Sequence, residues 1–159
     1  MEGDSELREL YREALLDYSR DQARRGRLEP ADMRARGLNP VCGDEIELTM
    51  RSGPDGRIAQ IRFTGHGCVI SQASSAMMAE ALEGQTPERA ASLLEAFKGM
   101  MLRGAPAALL PQELEAVGAL EGVRRFPTRV KCATLAWNTL QQGLARRSGG
   151  AQADFEEVE

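Results

Sequence analysis

The sequence has few of the residues that stabilise small secreted domains or mark membrane segments. It holds three cysteines, one histidine and one tryptophan in 159 residues, and aromatic residues make up only 4% of the chain. Three cysteines cannot all pair within one chain, which argues against a disulfide framework. No apolar run approaches the roughly 20 residues of a membrane span, and no charged-then-apolar leader opens the sequence. We therefore expect a soluble cytoplasmic protein whose cysteines bind metal or carry out thiol chemistry.

Length and charge limit the number of domains and the kind of partner. With 42% hydrophobic residues, a chain of 159 residues can bury one core of ordinary size. The formal net charge of -4 argues against a nucleic-acid or anionic-membrane surface, so a protein or a small solute is the expected partner. We predict a single domain over residues 1–147. Residues 148–159 are small and acidic, which predicts a disordered tail.

Alternating residues predict a small sheet in the first half of the chain. Apolar and polar side chains alternate over residues 45–51, and a Gly-Pro-Asp-Gly turn at 53–56 separates them from Ile61 and Phe63. This pattern is typical of a β-hairpin. A lone hairpin is marginally stable, so we expect a third strand from the segment that leads into Cys42, although residues 24–38 otherwise resemble a solvated connection.

Helical periodicity dominates the rest of the sequence. Apolar residues recur at helical spacing in five segments, which are residues 5–23, 70–84, 86–103, 111–120 and a last helix that runs from Cys132 to about residue 147. The predicted fold class is α+β, with a small antiparallel sheet of about three strands packed against several helices.

The three cysteines fall at element boundaries that a hairpin brings together. Cys42 precedes the hairpin, Cys68 follows it at a strand-to-helix junction, and Cys132 opens the last predicted helix. The two ends of a hairpin meet at one edge of a sheet, which places Cys42 beside Cys68, and Cys132 can reach the same edge. A helix start also favours a thiolate at Cys68, although a buried cysteine in a tight turn is the alternative.

Asp44 is a candidate fourth ligand. It lies two residues after Cys42, and alternate side chains of an extended segment share one face. Three thiolates and one carboxylate form a plausible tetrahedral set for zinc, although none of the cysteines forms the close pair of a zinc ribbon. The alternative for Asp44 is a turn or cap residue.

Basic residues near Cys132 could offset the charge of such a site. Three thiolates, a carboxylate and a divalent ion carry about two net negative charges, which Arg129 and Lys131 could balance. A solvated face is the alternative for both. His66, the only histidine, lies two residues before Cys68, but we expect it to point outward from its Gly-His-Gly turn.

The three cysteine segments resemble the SufU and IscU group of iron–sulfur assembly proteins, which share an IscU/NifU-N-like fold. The matching segments are NPVCGD (39–44), GHGC (65–68) and RVKCATLAW (129–137). IscU-type scaffolds carry a histidine immediately before the third cysteine, whereas this sequence has Lys131. The segment between Cys68 and Cys132 is also longer than in those scaffolds, with the extra length around residues 99–122. Both differences resemble the SufU branch.

The resemblance implies a zinc-dependent sulfurtransferase with Cys42, Asp44, Cys68 and Cys132 as metal ligands. Cys42 is then the catalytic persulfide acceptor, and Arg129 is a second catalytic-site residue that positions the acidic site or the partner. The implied partner is a SufS-type cysteine desulfurase that carries its own pyridoxal phosphate, with a SufBCD-type scaffold downstream. Two alternatives stay open: a scaffold that assembles a 2Fe–2S cluster on the same ligands, and a structural zinc module for protein interaction.

Overall fold

One sheet and four α-helices make up the part of the chain that the computed structural model describes, residues 2–146 and 153–156. The strands are β1 (Met33–Asn39), β2 (Asp44–Ser52), β3 (Ile58–His66) and β4 (Ala153–Glu156), in the spatial order β3-β2-β1-β4. The α-helices are α1 (Glu2–Arg20), α2 (Val69–Leu82), α3 (Pro87–Arg103) and α4 (Pro127–Arg146). Two 3-10 segments, Ala107–Leu109 and Gln112–Arg125, connect α3 to α4. The predicted α+β class is confirmed.

The first three strands form an antiparallel meander. β2 pairs with β3 from Glu45 opposite His66 along to Ser52 opposite Ile58, which confirms the predicted hairpin. β1 pairs with β2 from Met33 opposite Met50 to Asn39 opposite Asp44. The expected third strand is therefore the segment before Cys42. The reading of residues 24–38 as a plain solvated connection is wrong for its second half, because alternate β1 side chains enter the core.

Helix α4 crosses β1 at very short range, and glycines make this possible. A Cβ atom at Gly37 would lie 1.9 Å from Thr139 Oγ1, and one at Gly143 would lie 2.6 Å from Met33 Sδ. A larger side chain at Gly37 would collide with Thr139, and one at Gly143 would displace the end of the Met33 side chain. The contact fixes the position of α4, and with it Cys132, relative to the end of β1.

Two predicted helices differ from those observed. The last helix begins at Pro127 rather than at Cys132, because proline lacks the N–H that a first helical residue leaves unpaired. Cys132 consequently lies in the second turn of α4. The segment predicted as a helix over residues 111–120 is a longer 3-10 segment, irregular at Leu114. For α3, the predicted cap is confirmed, since Thr86 Oγ1 accepts a hydrogen bond from Arg89 N at 3.1 Å.

Part of the predicted disordered tail is a strand. Residues 153–156 pair in parallel with Ala35–Leu38 of β1, whose outer edge would otherwise present unpaired backbone N–H and C=O groups. The prediction of disorder is therefore wrong for these four residues. The other residues of the 148–159 prediction lie outside the described part of the chain.

The core lies between the sheet and the helices. It contains Leu48, Met50, Ile61 and Phe63 from the sheet, packed against side chains of α2, α3 and α4. Phe97 and Trp137 stack at its centre with ring centroids 4.0 Å apart and planes 6° from parallel. Among the described helices, none is long and apolar enough to cross a membrane.

Candidate metal and thiol site

Cys42, Asp44 and Cys132 meet at the end of the sheet where β1 turns into β2. Their sulfur and carboxylate ligand atoms all lie within 4.8 Å of one another. Tetrahedral zinc with bonds of 2.3 Å separates two sulfur ligands by about 3.8 Å, so small side-chain adjustments would close this group around an ion. All three cysteines of the chain are free thiols. The donors are the soft thiolates and the carboxylate that zinc accepts, so these residues fit such a metal.

The turn between β1 and β2 presents Cys42 at the surface while Asp44 points inward. Gly43, with φ of 74°, adopts the left-handed conformation that closes this turn, and its N–H donates to Asn39 O at 2.8 Å. Cys42 is exposed, whereas Asp44 is 1% exposed. One thiol of the group can therefore meet another molecule while its neighbour stays inside the protein.

Asp44 is held by the backbone of the strand-to-helix junction. Its Oδ1 accepts a hydrogen bond from Cys68 N at 3.1 Å, whereas its Oδ2 is buried without any hydrogen-bond partner among the described residues. Gly67 makes room for the carboxylate, because a Cβ atom there would lie 2.5 Å from Asp44 Oδ1. A buried, unpartnered carboxylate oxygen beside two thiols is well placed to bind a cation.

Cys68 caps the start of α2 and lies at the edge of the group. It is the N-cap residue of α2, which confirms the predicted strand-to-helix junction, and its C=O accepts a hydrogen bond from Ser71 Oγ at 3.0 Å. Its sulfur is outside the 4.8 Å group but close enough to Cys132 to act on it electrostatically. The structure thus brings all four predicted ligands to one end of the sheet, with Cys68 at a wider spacing.

Cys132 is the most deeply buried thiol of the three. Burial raises its pKa well above the ordinary value, and neighbouring Asp44, Cys42 and Cys68 raise it further. The thiolate form of Cys132 is therefore disfavoured unless positive charge lies nearby. Two hydrogen bonds fix the helix around it, since Trp137 Nε1 donates to Ser74 Oγ at 2.8 Å and Ser74 Oγ donates to Ala133 O at 2.6 Å.

Arg129 lies beside the two inner sulfurs, one turn before Cys132. The negative charge of Cys68, followed by contact with Cys132, raises the pKa of the Arg129 guanidinium. Lys131 is half-buried on the same helix. His66 is 73% exposed and its Nε2 lies 3.2 Å from Glu45 Oε2, so the expectation that it points outward is confirmed.

An apolar cavity of about 630 Å³ opens next to Cys68 and Arg129. Its walls come from α1, the start of α2, the second 3-10 segment and the start of α4, and include Leu15, Val69 and Phe126. Val69 is 44% exposed and Phe126 is 59% exposed. An exposed, largely apolar surface thus borders the site on the Cys68 side.

Two serines that shape this site are not predicted as site residues from the sequence. The Ser71 hydroxyl and the Asp44 carboxylate fill the space that Gly67 leaves open. The Ser74 hydroxyl joins α2 to α4. A serine among apolar residues at helical spacing is the sequence signal that could identify Ser74.

Fold and thiol cluster together define a small α+β domain with a metal-binding end built from cysteines and one aspartate. Residues 10–133 match the NifU-like N-terminal domain family. The chain belongs to this family.

Similar proteins extend over nearly the whole chain. The zinc-dependent sulfurtransferase SufU of Bacillus subtilis (strain 168) is 38% identical over 94% of this chain and 99% of its own length. The iron–sulfur cluster assembly scaffold protein IscU of Streptococcus pyogenes serotype M1 is 39% identical over 93% of this chain and 90% of its own length. A crystal structure of SufU from Fervidobacterium islandicum AW-1, described as a scaffold for the SUF system, superposes with a TM-score of 0.74 at 34% identity, covering 83% of this chain and 94% of that one.

Proposed function

We propose that this protein is a zinc-dependent sulfurtransferase that accepts persulfide sulfur for iron–sulfur cluster biogenesis. The observation that carries the proposal is the pairing of an exposed thiol, Cys42, with the buried ligands Asp44 and Cys132 in one cluster. The exposed thiol is the one that a persulfide on another protein can reach. The similarity to a SufU named as a zinc-dependent sulfurtransferase supports the same activity.

Zinc would be held by Cys42, Asp44, Cys68 and Cys132. The unpartnered Asp44 Oδ2 supports a resident cation, because a carboxylate oxygen buried without a hydrogen bond is disfavoured unless positive charge lies beside it. When bound, zinc keeps thiols deprotonated at neutral pH and lowers their nucleophilicity. Arg129 beside Cys68 and Cys132 offsets part of the excess negative charge of such a ligand set.

Cys42 would receive the sulfur by thiol–persulfide exchange. Its thiolate attacks the terminal sulfur of a persulfide on the donor enzyme and forms a new S–S bond. The bond between that sulfur and the donor's cysteine breaks, and the donor cysteine leaves as a thiolate. Cys42 then carries the persulfide, and the exchange needs no external oxidant or reductant.

The donor would be a SufS-type cysteine desulfurase, which brings its own pyridoxal phosphate. The apolar, exposed Val69 and Phe126 around the neighbouring cavity support a protein partner, as does Val41 next to Cys42, which is 54% exposed. A SufBCD-type scaffold would receive the sulfur afterwards. Three free thiols support a reducing, cytoplasmic setting for this transfer.

The test is sulfur transfer to Cys42. Purified desulfurase, cysteine and this protein are mixed, and peptide mass spectrometry looks for one added sulfur atom on Cys42. We expect the wild type to gain that sulfur and to stimulate the desulfurase, whereas Cys42→Ala should do neither. Because this variant also removes a metal ligand, its zinc content is measured, and Asp44→Ala serves as a control that removes a ligand but keeps the Cys42 thiol. Desulfurase stimulation that survives Cys42→Ala would contradict the acceptor assignment.

Cluster assembly is the second candidate, supported by the similarity to proteins named as IscU scaffolds. Anaerobic reconstitution with iron and sulfide, followed by visible absorption and transfer to an apo-ferredoxin, separates the two functions. A stable and transferable 2Fe–2S cluster would favour the scaffold. A structural zinc module would instead unfold on chelation and show no transfer with any partner.

A further inference from the structure

Asn39 is a buried polar residue next to the candidate metal site. It is the last residue of β1, is 0% exposed, and neither its Nδ2 nor its Oδ1 has a hydrogen-bond partner among the described residues. Buried side-chain amides are almost always hydrogen-bonded, because leaving them unpaired costs the full desolvation of the group. Packing alone therefore does not explain a buried, unpaired amide at the end of β1.

The sheet register places Asn39 beside Asp44. The two residues are direct partners across β1 and β2, and directly opposed residues of an antiparallel pair project to the same face with Cβ atoms about 5 Å apart. Asp44 Oδ2 is also buried without a partner. An unpaired donor group and an unpaired acceptor atom therefore occupy neighbouring positions on the inner face.

The same face meets the turn of α4 that carries Cys132. Gly37, two residues before Asn39, packs against Thr139 and Leu135 of α4. Alternation along β1 puts Asn39 on that face, one step further toward the N-terminal turns of α4. Asn39 thus lies next to Asp44 on the face that meets the helix supplying the buried thiol.

We propose that Asn39 is a positioning residue of the metal site. With a divalent cation bound to the Cys42, Asp44 and Cys132 group, Asn39 Nδ2 donates a hydrogen bond to the Asp44 carboxylate and fixes its orientation toward the ion. Such outer partners orient metal-ligating carboxylates, and their loss typically lowers metal affinity about 10–100-fold. This inference rests on the metal site of the proposed function but not on sulfur transfer.

The first experiment measures zinc affinity and metal-free stability of Asn39→Leu. Zinc affinity is measured by competition with a chromophoric chelator, and the d–d absorption of the cobalt(II)-substituted protein reports ligand geometry. We expect affinity to fall about 10–100-fold and the cobalt bands to shift. The thermal midpoint of the metal-free protein should stay the same or rise, because leucine of similar volume replaces an amide without partners.

A matched pair of variants covers the case in which leucine does not fit. Asn39→Ser and Asn39→Ala leave cavities of nearly the same size, but only serine keeps a donor. We expect the serine variant to bind zinc about tenfold more tightly than the alanine variant, with similar metal-free midpoints. Thr139→Val is the control on the same interface, because the Thr139 hydroxyl bonds its own helix, to Leu135 O at 2.7 Å; it should leave zinc affinity unchanged.

Two results would overturn the inference. One is equal zinc affinity in the serine and alanine variants. The other is a metal-free midpoint that is lower in the alanine variant than in the serine variant in step with zinc affinity, which would show an ordinary structural role. If the wild type accepted no sulfur from the desulfurase while the affinity differences at position 39 held, the sulfurtransferase proposal would fail and the role of Asn39 would stand.

Discussion

Replacing Gly67 with alanine tests how tightly the structure holds Asp44 beside Cys68. The new Cβ would lie 2.3 Å from Ser71 Oγ and 2.5 Å from Asp44 Oδ1, both far inside contact distance. The Ser71 hydroxyl can rotate away. The Asp44 carboxylate is buried and must move, which breaks its 3.1 Å hydrogen bond from Cys68 N.

The expected cost combines overpacking with the lost hydrogen bond. Overpacking a filled site costs about 1–3 kcal/mol, and a hydrogen bond to a charged group contributes about 1.5–3 kcal/mol. Because Ser71 can relieve part of the overlap, we expect about 3 kcal/mol in the free energy of unfolding. For a chain of this size that corresponds to a fall of about 6–12 °C in Tm. Zinc affinity should fall as well, since the ligand oxygen moves.

The assay is urea unfolding of the metal-free protein, followed by zinc competition. Gly99→Ala is the matched control, because Gly99 lies inside α3 and its new Cβ would meet only the end of Arg103 at 3.7 Å. That variant should be neutral or more stable by up to about 1 kcal/mol, since alanine favours the helix. If Gly67→Ala unfolded like Gly99→Ala and bound zinc like the wild type, the proposed confinement of Asp44 would be refuted.

Two further predictions concern the elements around the site. Ser74→Ala leaves the buried Trp137 Nε1 unpaired and should lower the free energy of unfolding, measured with urea, by about 1–3 kcal/mol. The control is Ser92→Ala at an exposed position, which should change stability little. Equal effects of the two substitutions would contradict the link between α2 and α4. Burial alone raises the pKa of Glu83, but hydrogen bonds from Ile61 N and Arg62, together with the charge of Arg24, lower it below 4.5. The wild type should therefore be more stable than Glu83→Gln above about pH 4.5, and this difference in stability should vanish as the pH falls below the depressed pKa of Glu83. A stability difference that does not change with pH would argue against the ion pair of Glu83 with Arg62 and Arg24.

Local sequence signals predicted most elements because those elements depend on neighbouring residues. Thr86 and Pro87 specify the start of α3 through a side-chain cap and a missing N–H, and Gly104 ends it in the left-handed conformation. Alternation over residues 45–51 predicted β2 for the same local reason. The predictions were wrong where contacts between distant residues determine the local structure. β1 looked like a solvated connection because its arginines mask the alternate residues that α4 covers.

The chemistry of the site and the end of the sheet where its ligands meet can be predicted from the sequence. Three cysteines, Asp44 and the hairpin between Cys42 and Cys68 specify thiolate and carboxylate donors at one end of a sheet. Ligand type follows from residue identity, and the two ends of a hairpin must meet.

Which donor is exposed and what surrounds the others depend on contacts between distant parts of the chain. The close crossing of α4 over β1 buries Cys132, whereas the β1–β2 turn leaves Cys42 exposed and Asp44 inside. That crossing depends on Gly37 and Gly143, which are far apart in the sequence and adjacent only after folding. The proposed division between an acceptor thiol and fixed ligands is therefore a property of packing rather than of any motif.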